Sequence, residues 1–290
     1  MSRAEAGLDA LGRLLNSPPV ENVPGQLAIE DGLTLNVLSL FAGIGGIDLG
    51  LERAGMTPVG QVEINPFCQR VLAHHWPEVP RHDDVSTTPK WWSSAPRPRV
   101  HVVAGGFPCQ PFSVAGRQLG ITDERWMWPA MAAVVRHVRP DYVFVENVSD
   151  LVRDADAFGW VLRDLAALGF DAEWAVLPAP AFGAPQAKRE RVYLVAHAQS
   201  LYGPARRGLV EGGDRQSPLA ARGLLGLPVA ARGQAARVWL EAEPRVDRLV
   251  DGVPAQVDRI AAFGNAVIPV AAEHIGRLIV EDHFARVTAA

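Results

Sequence analysis

The sequence predicts an α/β protein built on a mostly parallel, doubly wound sheet. Four short apolar runs have the length of buried strands, and they lie at residues 35–41, 59–62, 100–104 and 141–145. Helices are predicted between these strands, at residues 65–76 and 126–138. Strands that alternate with helices are typical of a parallel sheet with helices on both faces.

Composition excludes several classes of protein. The 290 residues can bury one large core and a small satellite domain, and 48% hydrophobic with 21% charged residues is typical of a globular protein. The sequence has no apolar run of membrane-spanning length and no signal-peptide pattern, so we expect a cytoplasmic protein. Its two cysteines, Cys68 and Cys109, indicate a reducing compartment, and its eight histidines form no zinc pattern, so no metal is expected.

A glycine-rich turn follows the first predicted strand. Residues 41–46 read Phe-Ala-Gly-Ile-Gly-Gly, and a helix begins directly after them. A strand, a glycine turn and a helix form a unit typical of nucleotide binding, although Asp48 replaces the third glycine of the dinucleotide fingerprint. Glu63 ends the next strand, where a carboxylate can accept both hydroxyls of a ribose. A tight turn without a ligand is the alternative interpretation.

One cysteine lies in a loop of unusual composition. Residues 104–113 read Ala-Gly-Gly-Phe-Pro-Cys-Gln-Pro-Phe-Ser, directly after a predicted strand. Glycines and prolines shape and stiffen such a loop, which presents Cys109 at the carboxyl end of the strand, where open α/β sheets bind ligands. A small buried hydrophobic residue is the alternative for a lone cysteine.

Together with three later motifs, these stretches resemble the DNA cytosine-5 methyltransferases. The later motifs are Glu-Asn-Val at 146–148, Gln186 with the Arg-Glu-Arg triplet at 189–191, and Gly-Asn-Ala-Val-Ile-Pro at 264–269. The resemblance covers about residues 33–197 and 246–272. It implies the sheet of S-adenosylmethionine-dependent methyltransferases, with a small inserted target-recognition domain.

The resemblance implies S-adenosylmethionine as the cofactor. By this resemblance, Phe41 would pack on the adenine and Glu63 would contact the ribose. Ile64 would supply a further apolar wall. Asp84, rather than Asp83, matches the carboxylate that accepts from the adenine amino group, and capping of the next turn by both is the alternative. The implied cofactor-binding residues are Phe41, Ala42, Gly43, Gly45, Gly46, Glu63, Ile64, Asp84, Val85, Pro108, Asn265, Ala266 and Val267.

The resemblance also implies the chemistry. Cys109 would attack carbon 6 of a cytosine, Glu146 would stabilise ring nitrogen 3, and both Arg189 and Arg191 would assist electrostatically. Between Gln186 and the arginines there is one residue more than the family pattern allows. Aligned from the strand side, Arg191 is the expected contact to the cytosine carbonyl oxygen, and the role of Gln186 stays open. The cytosine must be flipped out of the duplex to be reached.

Double-stranded DNA is the expected partner. Residues 114–124 resemble the mobile catalytic loop of the family, with a surface loop as the alternative. The stretch between Ser200 and Val238 contains six arginines and only two acidic residues, Glu211 and Asp214. This positive local charge fits a DNA-facing side or a solvated loop. The residues expected to contact DNA are Gln110, Ser113, Arg117, Gln186, Arg206, Arg207 and Arg215.

We expect four segments in the chain. They are an N-terminal extension and linker at 1–32, a catalytic cofactor-binding domain at 33–198, a target-recognition domain at 199–245 and a return segment at 246–290. We expect a monomer. A role in restriction-modification, with a cognate restriction endonuclease encoded elsewhere, is left open by the sequence.

Three other functions stay open. A transfer-RNA cytosine-5 methyltransferase belongs to the same family, although Ser113 and the basic segment favour DNA. A catalytically silent DNA-binding regulator is disfavoured by the presence of Cys109, Glu146 and both arginines. A nicotinamide-dependent enzyme is disfavoured by the incomplete glycine fingerprint.

Overall fold

The computed structural model describes residues 34–108, 126–184, 189–201 and 266–287, which contain one seven-stranded sheet. Its strands are β1 (Asn36–Leu40), β2 (Thr57–Val62), β3 (Arg81–His82), β4 (Val102–Gly105), β5 (Tyr142–Val148), β6 (Phe170–Pro178) and β7 (Glu190–Ala198). Their order is β3-β2-β1-β4-β5-β7-β6. β1 to β5 are parallel, whereas β7 pairs antiparallel with both β5 and β6. The mostly parallel sheet confirms the predicted fold class.

Helices cover both faces of the sheet. They are α1 (Gly46–Arg53), α2 (Pro66–His75), α3 (Thr88–Trp92), α4 (Trp128–Val138), α5 (Asp150–Arg153), α6 (Ala155–Ala167) and α7 (Pro269–Val287). α4 and α6 bury apolar side chains in a core on one face, and α1 and α7 do so on the other. Of the helices in the described ranges, none is long and apolar enough to cross a membrane.

The last described helix, α7, packs against the same face of the sheet as α1. Its Ala272 and Ile275 are fully buried in the same apolar cluster as Ile47 and Leu51 of α1. α7 therefore packs beside the helix that follows the glycine turn. The boundaries of the four segments expected from the sequence stay predictions.

One strand is longer than predicted. The apolar run predicts that the fourth strand ends at residue 145, before Glu146 and Asn147, and this prediction is wrong. β5 continues to Val148 because Glu146 and Asn147 pair with Tyr193 and Val192 of β7. The antiparallel partner supplies the hydrogen-bonded ladder, so polar residues continue the strand at the point where the apolar run stops.

A buried carboxylate lies beneath the glycine turn. Asp48, in the first turn of α1, is 0% exposed. Its Oδ2 accepts a hydrogen bond from the Ser39 hydroxyl, and its Oδ1 accepts one from the Gln61 side-chain amide, each at 3.0 Å. Ser39 and Gln61 are register partners on β1 and β2. Burial raises the pKa of Asp48 to about 6, although both hydrogen bonds act to lower it.

We expect Asp48 to make the protein less stable as pH rises. The pKa in the folded protein lies above the ordinary value of 3.8, so the folded state binds the proton more tightly than the unfolded state. The contribution of Asp48 to the stability of the fold is therefore fully present below about pH 4, and it is lost as pH rises through about 6. The rise of the Asp48 pKa from 3.8 to about 6 corresponds to ~3 kcal/mol in the free energy of unfolding.

The variant Asp48→Asn isolates this effect because its amide does not titrate. In urea denaturation at several pH values, the wild type should lose ~3 kcal/mol relative to Asp48→Asn between about pH 4 and pH 8. If the free energies of unfolding of the two proteins changed with pH in the same way, Asp48 would have the same pKa in the folded and unfolded states.

Candidate active site

The candidate site lies at the carboxyl ends of the parallel strands. The chain proceeds outward from β1 to β2 and β3 in one direction and from β4 to β5 in the other, so the topology switches between β1 and β4. Open α/β sheets bind ligands in the crevice at this switch point. The glycine turn follows β1 and the segment leading to Cys109 follows β4, so the two predicted motifs lie side by side.

The glycine turn is held in a strained conformation. Phe41 has a left-handed backbone with φ of 53°, which is uncommon for a residue other than glycine. The backbone N–H of Ala42 donates to the carbonyl of Val62 at 3.0 Å, which ties the turn to the end of β2. The Phe41 side chain is half-buried and packs against the core on the α4 face. Strain of this kind is characteristic of functional turns.

Glu63 is positioned by backbone amides. Its two carboxylate oxygens accept hydrogen bonds from the N–H groups of Gly43 and Asn65, each at 2.7 Å. Each carboxylate oxygen has a second lone pair, so the group can also accept the hydroxyls of a ribose. Ile64 beside it is 76% exposed, and a Cβ placed on Gly43 would meet no atom within 4 Å. A polar acceptor, an apolar side chain and open space above the turn suit a nucleoside.

The predicted aspartate of the third motif forms a local cap. Asp84 accepts a hydrogen bond from the backbone N–H of Ser86 at 2.8 Å, and its carbonyl accepts one from the Thr88 hydroxyl at 3.0 Å. Val85 is buried below it. Capping, the alternative given for this position, is therefore observed for Asp84, and contact with an adenine stays a prediction. Asp83 is exposed, and its Oδ1 lies 3.6 Å from Nδ1 of His82.

The return segment reaches both parts of the site. The carbonyl of Val267 lies so close to Gly46 that a Cβ at this glycine would collide with it. The carbonyl of Ala266 accepts a hydrogen bond from the Arg189 guanidinium at 2.6 Å. These two predicted cofactor-binding residues thus connect the glycine turn with the arginines.

Glu146 is buried and forms an ion pair with Arg191, whose side chain is 20% exposed. Glu146 is 6% exposed, and its Oε1 lies 3.3 Å from Nε of Arg191 on the neighbouring strand β7. Burial raises the pKa of Glu146, and the guanidinium groups of Arg191 and Arg189 oppose part of that rise. A carboxyl group in this environment can hold a proton that an exposed one would release.

Asn147 ties the entrance of the cysteine loop to β5. Its side-chain amide donates to the carbonyl of Phe107 at 2.9 Å, two residues before Cys109. Phe107 is buried, with its ring against Trp126 and Trp128, whereas the predicted cofactor contact Pro108 is exposed. Sequence pattern alone indicates no role for the side chains of Asn147 and Asp48. The available signal was that each is polar at a position where its element should be buried.

Several predicted residues lie outside the described ranges. They are Cys109, Gln110, Ser113, Arg117, Gln186, Arg206, Arg207, Arg215 and Asn265. The proposed N-terminal extension and all but residues 199–201 of the proposed target-recognition domain lie outside them as well.

Comparison with known proteins identifies relatives of this chain. Type II methyltransferase M.NgoBI of Neisseria gonorrhoeae is 35% identical over 57% of this chain and 51% of its own length. Type II methyltransferase M.Eco47II of Escherichia coli is 35% identical over 72% of this chain and 48% of its own length. The solved structure of the Entamoeba histolytica methyltransferase EhMeth aligns with 59% of this chain and 55% of that chain, at 19% identity and a TM-score of 0.49. The chain spans about half the length of the curated relatives it matches.

The family model for C-5 cytosine-specific DNA methylases matches residues 35–218, which is more than half of the chain. The matched residues include the glycine turn, Glu63, Glu146 and both arginines. The chain therefore belongs to the C-5 cytosine-specific DNA methylase family.

Proposed function

We propose that this protein is a DNA cytosine-5 methyltransferase, which transfers the methyl group of S-adenosylmethionine to carbon 5 of a flipped-out cytosine through a covalent adduct with Cys109. The observation that carries the proposal is the ion pair between the buried Glu146 and Arg191 beside the segment that leads to Cys109. A nucleophile attacking a pyrimidine ring needs such a group to stabilise the charge that develops on the ring.

The residues after β1 and β2 fit the cofactor. Glu63 offers a carboxylate for the ribose hydroxyls, the turn at 43–46 offers backbone groups, and Ile64 and Phe41 offer apolar surface. When bound there, S-adenosylmethionine supplies an electrophilic methyl group. These residues bind and orient the adenosine. Their interactions with it change little between the ground state and the transition state.

The residues of the catalytic side act on the cytosine. Attack of the Cys109 thiolate on carbon 6 breaks the aromaticity of the ring and makes carbon 5 nucleophilic. Negative charge develops on ring nitrogen 3 and on the carbonyl oxygen. Glu146 holds a proton at nitrogen 3, and Arg191 with Arg189 stabilises the oxygen. After carbon 5 has bonded to the methyl group, loss of the carbon 5 proton to water and elimination of the Cys109 thiolate restore the aromatic ring.

The raised pKa of Glu146 supports this proton-holding role. Burial is the largest cause of the rise, and a protonated carboxyl is the form that donates to a ring nitrogen. Arg191 and Arg189 oppose part of this rise in the pKa of Glu146, because their positive charges favour the ionised carboxylate. Burial therefore favours the protonated form of Glu146, and the two guanidinium groups favour the ionised form.

Duplex DNA is the substrate that the relatives favour. M.NgoBI and M.Eco47II are named type II methyltransferases, and we extend that class to this chain. A protein of that class modifies the site of a cognate restriction endonuclease encoded elsewhere. The base must leave the stack to reach a site at the ends of the strands.

Cys109→Ala tests the nucleophile. Methyl transfer to DNA should fall by at least about a thousand-fold, because no other group can form the bond to carbon 6. Calorimetric titration should show that S-adenosylmethionine still binds. The matched control is Cys68→Ala, since Cys68 is a buried residue of α2 outside the proposed chemistry, and this variant should stay active.

A Cys109→Ala protein that still methylates DNA would contradict the proposed mechanism.

The same assay separates DNA from RNA as the substrate. Wild-type protein should incorporate methyl groups into duplex DNA, and incorporation into transfer RNA alone would show that the protein is an RNA cytosine-5 methyltransferase.

Glu63 and Glu146 should affect different kinetic constants. Glu63→Ala should weaken cofactor binding by about ten-fold or more and leave kcat at saturating cofactor nearly unchanged, because it removes uniform binding. Glu146→Gln should lower kcat by about a hundred-fold or more and leave cofactor affinity unchanged. Normal calorimetric binding by Glu63→Ala would contradict the assignment of the ribose site.

Gly106→Ala tests how closely the cysteine loop must approach β5. An added Cβ would lie 2.9 Å from the Glu146 carbonyl oxygen and 3.3 Å from its Oε2, so residue 106 or the backbone of β5 must shift. We expect kcat to fall about ten-fold or more, with cofactor affinity unchanged.

Gly159→Ala is the matched control for this substitution. A Cβ at Gly159 in α6 meets nothing within 4 Å, so this change should retain activity and add up to ~1 kcal/mol of stability. Full activity of Gly106→Ala would show that the spacing between loop and strand is not critical.

A further inference from the structure

Three elements bring the predicted cofactor residues together. β1 leads to Phe41, β2 leads to Glu63, and α1 follows the glycine turn. Asp48 of α1 contacts the other two elements, and each of its partners lies two residues before a predicted cofactor residue. Ser39 precedes Phe41 on the β1 side, and Gln61 precedes Glu63 on the β2 side.

The Asp48 contacts form the layer directly below the contacts of the site. Above them, the N–H of Ala42 donates to the carbonyl of Val62, and the N–H of Gly43 donates to Glu63. Since Ser39 and Gln61 are register partners, a shift of β1 against β2 would break both Asp48 hydrogen bonds. The same shift would separate Gly43 from Glu63.

The carboxylate costs folding free energy at this position. Burial raises its pKa, and Glu52 on the same helix adds a like charge that raises it further. The Oε1 atom of Gln61 is also buried without a hydrogen-bond partner among the described residues. Apolar side chains in place of Asp48, Ser39 and Gln61 together would avoid these costs, so stability alone does not account for a carboxylate with these two partners.

We propose that Asp48 is a positioning residue that sets the affinity for S-adenosylmethionine by fixing β1, β2 and α1 relative to one another beneath the cofactor. The inference rests on the proposed cofactor-binding function. A carboxylate suits this role because its two oxygens can accept from one donor on each strand at the same time. Asp48 itself is fully buried and acts through Phe41, Gly43 and Glu63.

Calorimetric titration of Asp48→Ala with two ligands tests the proposal. S-adenosylmethionine is a sulfonium cation, whereas S-adenosylhomocysteine, which lacks the transferred methyl group, has a neutral sulfur. A positioning role predicts that affinity falls about ten-fold or more for both ligands, with kcat at saturating cofactor within about two-fold of the wild type. Asp48→Asn should bind within about three-fold of the wild type, because its amide can accept from Gln61 and donate to the Ser39 oxygen.

Hydrogen exchange in the free protein gives a readout that needs no ligand. The amide of Gly43 should exchange about ten-fold faster or more in Asp48→Ala, because its acceptor Glu63 is no longer held in place. Tyr142→Phe is the matched control, since it removes a 2.9 Å hydrogen bond to Asp282, another buried carboxylate, at the opposite end of the sheet. This control should lose stability without losing cofactor affinity or Gly43 protection. If Asp48→Ala does not fold, Ser39→Ala removes one of the two contacts and should show the same effects at smaller size.

Binding of both ligands by Asp48→Ala within about three-fold of the wild type, with Gly43 protection retained, would overturn the proposal. A loss confined to S-adenosylmethionine would also overturn it, because Asp48 would then act through its charge. The two calorimetric titrations and the hydrogen-exchange measurement contain no DNA. A wild type that binds the cofactor but methylates no DNA would therefore refute the proposed function and leave the inference intact, whereas a wild type that binds neither ligand would refute both.

Discussion

The ion pair between the buried Glu146 and Arg191 is the constraint on which the proposed catalytic side depends. A carboxylate that is 6% exposed requires a partner, and the guanidinium 3.3 Å away meets that requirement only because β7 runs antiparallel to β5 in one register. The same register extends β5 past its apolar part, so that Asn147 reaches the carbonyl of Phe107. Strand pairing, charge burial and the position of Phe107 are therefore consequences of one arrangement.

The cofactor side and the catalytic side are connected by the end of the chain. Ala266 and Val267 are more than 200 positions from the glycine turn, yet the carbonyl of Val267 packs on Gly46 and that of Ala266 accepts from Arg189. α7 holds this segment in place by packing its apolar face beside α1. The proposed methyl transfer would require a cofactor and a base in one fixed geometry, and a segment bound to both sides would supply it.

The sequence predicted the parts of the protein that local pattern determines. Apolar runs placed β1, β2 and β4 to within two residues, and the glycine turn and Glu63 were found at the strand ends where they lie. The extension of β5 and the roles of Asp48 and Asn147 were not predicted, because each depends on a partner distant in sequence. Nothing near Asp48 shows that Gln61 will meet it, and nothing near Asn147 points to Phe107. Asp84 is the opposite case, since its cap on Ser86 is local and was foreseen as an alternative.

Covalent trapping is the most direct test of the proposed mechanism. Wild-type protein is incubated with S-adenosylmethionine and duplex DNA in which the target cytosine is replaced by 5-fluorocytosine, whose fluorine cannot leave as a proton does. The mechanism predicts a stable protein–DNA adduct that digestion and mass spectrometry assign to the peptide containing Cys109, and that requires the cofactor. Methylation of ordinary cytosine without such an adduct, or an adduct on Cys68, would contradict it.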